Sequence, residues 1–191
     1  MKKVLLLGDS IRMGYDDYVK EELNDFDVYY DSDDNGRFIS YNIWMFNQFN
    51  NKYGPFDIVH FNSGYWDMTP EGPHREHETP IDEYVKSLER LVDYIKSTGA
   101  TPIFATTVPI YDTPKKDGLY EAVDHQNKVV IEYNSKATEL MKRKGVMIND
   151  LYSLMEKEER YGKCYDSLHL TDENYKKCAK QVAKCVRLAA K

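Results

Sequence analysis

Apolar residues recur along this chain in two rhythms, short continuous runs and longer stretches with helical spacing, and the two alternate from one end to the other. Val4-Leu5-Leu6-Leu7 is the first run. Strand-length apolar runs bounded by turn residues suit strands buried on both faces. Residues 27–30, 57–62, 101–108 and 146–148 repeat the signal, which gives five expected strands.

Between the runs lie the helical patterns. Residues 14–23, 40–50, 81–95, 126–144, 151–158 and 172–188 carry apolar positions three and four apart, or the composition of short helices. Boundaries come from familiar punctuation. Ser40 and Thr171 stand as expected N-caps, while Gly54-Pro55, Gly99 and Gly145 close the helices before them. Strands alternating with helices, without an internal repeat or a low-complexity linker, predict an α/β protein whose parallel sheet is covered on both faces. One three-layer α/β/α domain over residues 1–191 is expected.

Composition narrows the possibilities. Of the 191 residues, 30% are charged and 41% hydrophobic, and 26 basic against 32 acidic residues give a net charge of -6. Because the basic residues are scattered rather than gathered into a stripe, no nucleic-acid partner is expected. The opening apolar run is only four residues before Gly8-Asp9-Ser10 and lacks a small-residue cleavage site, so it reads as a strand rather than a secretory leader. No stretch has the apolar length to span a bilayer, and a soluble cytoplasmic protein with no membrane partner is expected. Cys164, Cys178 and Cys185 read as reduced thiols, the last two on one helix face.

Two short stretches carry candidate chemistry. Gly8-Asp9-Ser10 falls where the first strand hands over to a helix, on the rim where open α/β sheets bind their ligands. A serine nucleophile needs a base, an orienting group for that base, and donors for the developing oxyanion. Asp166-Ser167-Leu168-His169 precedes the last helix, and its three-residue spacing lets an aspartate reach Nδ1 of the histidine while Nε2 faces Ser10. Each stretch alone is ordinary; both, at those two places in an α/β chain, are not.

Together, Gly8-Asp9-Ser10-Ile11 and Asp166-x-x-His169 resemble the SGNH/GDSL hydrolase superfamily in motif order across the chain. The resemblance implies a flavodoxin-like fold with a five-stranded parallel sheet, Ser10 as nucleophile, His169 as base and Asp166 as its orienter. It also implies an oxyanion hole at Ser10 and Gly36. The family's third donor is an asparagine in a Gly-x-Asn-Asp turn, but Gly64-Tyr65-Trp66-Asp67 has Trp66 at that position. Either the Trp66 indole N–H or the Asn62 amide stands in for it, or Trp66 is a wall of the substrate pocket.

The expected activity is hydrolysis of a small acyl ester, foremost an acetyl ester on a carbohydrate, in a pocket lined by Trp66, Tyr65 and Tyr15, with neither cofactor nor metal. An acyltransferase with the same triad and a non-catalytic carbohydrate-binding domain are the alternatives, and a flavin-binding flavodoxin-like protein is a poorer one. Residues 74–78 (His-Arg-Glu-His-Glu) suggest a loop over the site rather than a metal centre. His60, within an apolar run, reads as a hydrogen-bonded core histidine, and His125 as a surface residue. Arg12 and Arg37 each follow a site element, where a guanidinium either binds substrate or ties down carboxylates such as Asp9 and Asp67.

Overall fold

The computed structural model describes residues 1–69, 77–110, 120–157 and 168–191, with side chains from 127 onward in the helix that starts at 120. Five strands, β1 (Lys3–Leu7), β2 (Asp27–Tyr29), β3 (Ile58–Phe61), β4 (Thr101–Ala105) and β5 (Met147–Asn149), form one parallel sheet in the order β2-β1-β3-β4-β5. Val4, Leu5, Leu6 and Leu7 are all buried, as a central strand covered on both faces requires.

The helices are α1 (Ser10–Glu22), α2 (Ile39–Tyr53), α3 (Tyr65–Met68), α4 (Ile81–Ser97), α5 (Tyr120–Arg143), α6 (Leu151–Glu156) and α7 (Asp172–Ala189). α1 packs on α7, which also covers β3, β4 and β5, while α2, α4 and α5 form a second layer. The α/β/α expectation therefore holds. Among the described residues no helix is long and apolar enough to cross a membrane.

Two boundaries differ from the sequence reading in ways that bear on the site. α1 starts at Ser10, four residues earlier than the apolar pattern suggests, because the Asp9 carboxylate accepts a hydrogen bond from the Ile11 amide at 3.0 Å and caps the helix. α2 starts at Ile39 with Phe38 as its N-cap, so Ser40 lies inside the helix and caps nothing. The α2 terminus is held instead by a distant carboxylate, as described below. α3 and the early start of α5 at Tyr120 carry too few or too polar residues for periodicity to find them.

Packing brings the two ends of the chain together. A Cβ on Gly14 would lie 2.2 Å from the Tyr175 ring, so only glycine lets α7 approach α1 this closely. Cys178 of α7 is buried, as is Leu170 just ahead of the helix, and the segment leading into α7 is laid beside the start of α1.

Candidate active site

The strand order reverses between β1 and β3, and the loops leaving their carboxyl ends open a crevice there, the place where ligands bind in such sheets. Ser10 stands on that rim as the first residue of α1, half-buried, with the positive end of the helix dipole behind it. Its own amide is among those at a helix start that have no partner within the helix. Nε2 of His169 lies 2.8 Å from Ser10 Oγ across 159 residues of sequence. That is hydrogen-bond reach for transfer of the hydroxyl proton to an imidazole. Asp166 lies outside the described residues.

Beside the pair, Asp9 is fully enclosed. Burial raises its carboxyl above the ordinary range, opposed by the Ile11 amide and by neighbouring Arg12 and His169.

The candidate oxyanion donors separate once their partners are known. The Gly36 amide donates to the Gly8 carbonyl at 2.8 Å, and a Cβ there would sit 2.4 Å from that oxygen. Gly36 thus staples the β2–α2 loop to the turn that carries Ser10. Asn62 sends its Nδ2 to the Ala105 carbonyl at 3.0 Å and to Thr107 Oγ1 at 3.4 Å, so its amide secures the end of β4.

Trp66 occupies the first turn of α3, half-buried, with its ring edge-on to Phe38 at 5.7 Å between centroids. Neighbouring Tyr65 and Tyr15 are buried, and the Tyr65 hydroxyl donates to the Val108 carbonyl. They form the floor beneath the rim. Of the three aromatic residues expected to line the pocket, only Trp66 retains substantial exposure.

Asp67 is the residue whose importance sequence reading missed. Completely buried, it accepts the Ile39 amide at 3.1 and 3.2 Å and the Ser63 hydroxyl at 2.6 Å, clamping the start of α2 to the β3 exit loop. Burial raises its carboxyl to about 6 against these hydrogen bonds. The Gly-x-x-Asp turn was the available signal; what the aspartate would hold was not.

Arg12 is structural, but with partners other than Asp9 or Asp67. Its guanidinium, buried, donates to Asp16 Oδ2 at 2.6 Å, to the Asp31 and Asp34 carbonyls at 2.6 and 2.8 Å, and to the Gly8 carbonyl at 3.3 Å. One side chain therefore gathers α1, the Ser10 turn and the β2–α2 loop, as the planar fork of arginine allows. Arg37 instead reaches outward, pairing with Asp34 at 3.1 Å and lying over the Tyr41 ring.

The remaining histidines divide as expected where they are described. His60 is buried in β3 and accepts from Asn149 Nδ2 at 3.0 Å, while Gln181 of α7 donates to Asn149 Oδ1 at 2.9 Å. Burial lowers its imidazole to about 3, so it is neutral. His77 Nδ1 donates to the Met68 carbonyl at 2.8 Å, and His74 and the His125 side chain lie outside the described residues. Among the described residues no three metal-ligating side chains cluster. Cys178 is a buried free thiol raised to about 12 by burial, Cys185 is a half-buried free thiol, and Cys164 lies outside the described residues.

No family model matches this sequence, and no curated protein matches it. The fold has many solved counterparts. A carbohydrate acetylesterase family member from Sinorhizobium meliloti superposes with a TM-score of 0.76 at 18% identity, covering 99% of each chain. The acetyl xylan esterase AlAXEase gives 0.75 at 17% identity over 96% of this chain and 99% of its own. A lipase/acylhydrolase from Enterococcus faecalis gives 0.75 at 18% identity over 98% and 96%. The chain thus has the fold of the GDSL-type acylhydrolases and esterases.

Proposed function

We propose that this chain is a serine ester hydrolase of the SGNH/GDSL type that cleaves small acyl esters, acetyl esters of carbohydrates foremost. The observation that carries the reading is the 2.8 Å approach of His169 Nε2 to Ser10 Oγ at the strand-order reversal of a sheet shared with known esterases. The names of the acetyl xylan esterase and the carbohydrate acetylesterase support the choice of acyl group and of alcohol.

In the proposed reaction His169 takes the Ser10 proton as Oγ attacks the ester carbonyl, and the resulting imidazolium protonates the departing alkoxide. Water then attacks the acyl-enzyme, with His169 as base again, and releases the carboxylic acid and Ser10. Asp166 is assigned to hold the imidazole by Nδ1. The Ser10 amide at the α1 terminus and the Trp66 indole N–H are the assigned oxyanion donors, since the Gly36 amide and the Asn62 amide are bonded elsewhere. No step calls on a metal or a cofactor.

Turnover of p-nitrophenyl acetate by the parent protein, compared with Ser10→Ala and His169→Ala, tests the reading. A phosphonate that labels Ser10 stoichiometrically supports it; equal turnover by all three proteins would falsify it.

A further inference from the structure

Beyond the catalytic pair, α2 presents an outward stripe that the proposed reaction does not use. Tyr41, Trp44 and Gln48 follow one another at spacings of three and four residues, on the side away from the buried Ile39, Asn42, Met45 and Phe46, and Arg37 stands in the loop two residues before the helix. Trp44 is 52% exposed, and its ring stacks on Tyr41 at 5.2 Å and 23°. Tyr41 is fixed in turn, its hydroxyl donating to Asp34 Oδ2 at 2.5 Å while the Arg37 guanidinium lies 4.8 Å from its ring centroid. Two aromatic rings are thus held ready at the surface, with a carboxylate, a guanidinium and a carboxamide at their margins.

We propose that this stripe is a carbohydrate subsite that binds a neutral oligosaccharide through a sugar ring other than the acylated one. A flat indole offers an apolar face to the C–H face of a pyranose, and Asp34, Arg37 and Gln48 supply acceptors and donors for its hydroxyls. Size argues against a protein partner. A stable protein interface buries on the order of 1,200–2,000 Å² around an apolar centre, whereas among the described residues Trp44 is the one large apolar side chain that this face exposes. Among the described residues the other exposed large apolar side chains, Met1, Ile131 and Leu188, do not extend the patch, since two lie on α5 and α7 and the third at the N-terminus.

Position links the stripe to the site. The Gly36 amide is bonded to Gly8, two residues before Ser10, and the Ile39 amide to Asp67, next to Trp66. Trp44 lies about 7.5 Å farther along the helix than Ile39; in the proposal an oligosaccharide whose ester carbonyl meets Ser10 Oγ reaches it with a neighbouring ring. The subsite rests on the ester-hydrolase reading for its place in the reaction, but not for its binding.

The test separates the two. Binding of xylotetraose, cellotetraose and chitotetraose to the Ser10→Ala protein is followed by calorimetry, alone and combined with Trp44→Ala or Trp44→Phe. At least one tetrasaccharide should bind, roughly tenfold more weakly with Trp44→Ala and nearly as before with Trp44→Phe, which keeps a flat ring. In Ser10-containing protein, Trp44→Ala should raise KM for the acetylated form of that tetrasaccharide by a similar factor and leave kcat and p-nitrophenyl acetate turnover unchanged. No binding up to about 10 mM, or equal binding with Trp44→Ala, overturns the subsite. So does sedimentation showing a dimer that Trp44→Ala dissociates, since the stripe would then serve a second copy. Loss of p-nitrophenyl acetate turnover in the parent would defeat the hydrolase reading alone and leave the calorimetry interpretable.

Discussion

Ser10 Oγ and His169 Nε2 meet at 2.8 Å because α1 and α7, at opposite ends of the chain, pack face to face where Gly14 leaves room for Tyr175. The pair acts as one unit in the proposed reaction. Ser10→Ala, His169→Ala and the double variant should each lower kcat for p-nitrophenyl acetate by about 10³ or more, the double scarcely beyond either single. Additive losses would show that the two residues serve separate steps.

In the proposed reaction Trp66 is the side-chain donor to the oxyanion. Trp66→Phe leaves an aromatic ring beside Phe38 while removing the indole N–H together with the pyrrole ring that carries it. Loss of one such donor costs about 10² in kcat, so kcat should fall by that order while KM changes little. Unchanged kcat would reassign Trp66 to the wall of the pocket.

Arg12 should be worth more to the fold than a surface charge of the same kind. Arg12→Lys retains the charge but cannot span Asp16, Gly8, Asp31 and Asp34 together. Breaking such a buried network costs about 3 kcal/mol, visible as a lower urea midpoint with an unchanged slope. A midpoint equal to the parent's would remove Arg12 from the architecture of the site.

Stability should carry two opposing pH signatures. Native His60 is held to about 3, well below the usual 6.5, so the unfolded chain takes up its proton first and the protein loses stability as pH falls below about 6.5. Relative to His60→Asn, the parent should lose about 2 kcal/mol between pH 7 and 5. Asp67 works in the other direction. Its native carboxyl sits at about 6, above the usual 3.8, so the native state gains stability as pH falls from about 6 toward 3.8, and the parent should gain on Asp67→Asn over that interval. Urea titrations at stepped pH read both differences; parallel curves for parent and variants would contradict them.

Local pattern determined a good deal of this protein. Four apolar residues followed by Gly8-Asp9-Ser10 specify a buried strand and a turn, and the alternation of short runs with helical periods specifies a parallel sheet between helices, since each signal resides in neighbouring residues. The candidate pair Ser10 and His169 was legible for the same reason: each partner sits at an element end that its own flanking residues define. Hydrogen-bond partners were another matter. Asn62 and Gly36 looked like free donors in the sequence, yet one holds β4 and the other the Gly8 carbonyl. Ser40 looked like the cap of α2, yet Asp67, 28 residues away from Ile39, receives that helix's first amide. Arg12 reached past the nearby Asp9 to the carbonyls of a loop about twenty residues on. A side chain's chemistry is written in its residue type, but its partner is chosen by distances that exist only after strands and helices have packed, and only the tertiary structure decided which candidate donors are already taken.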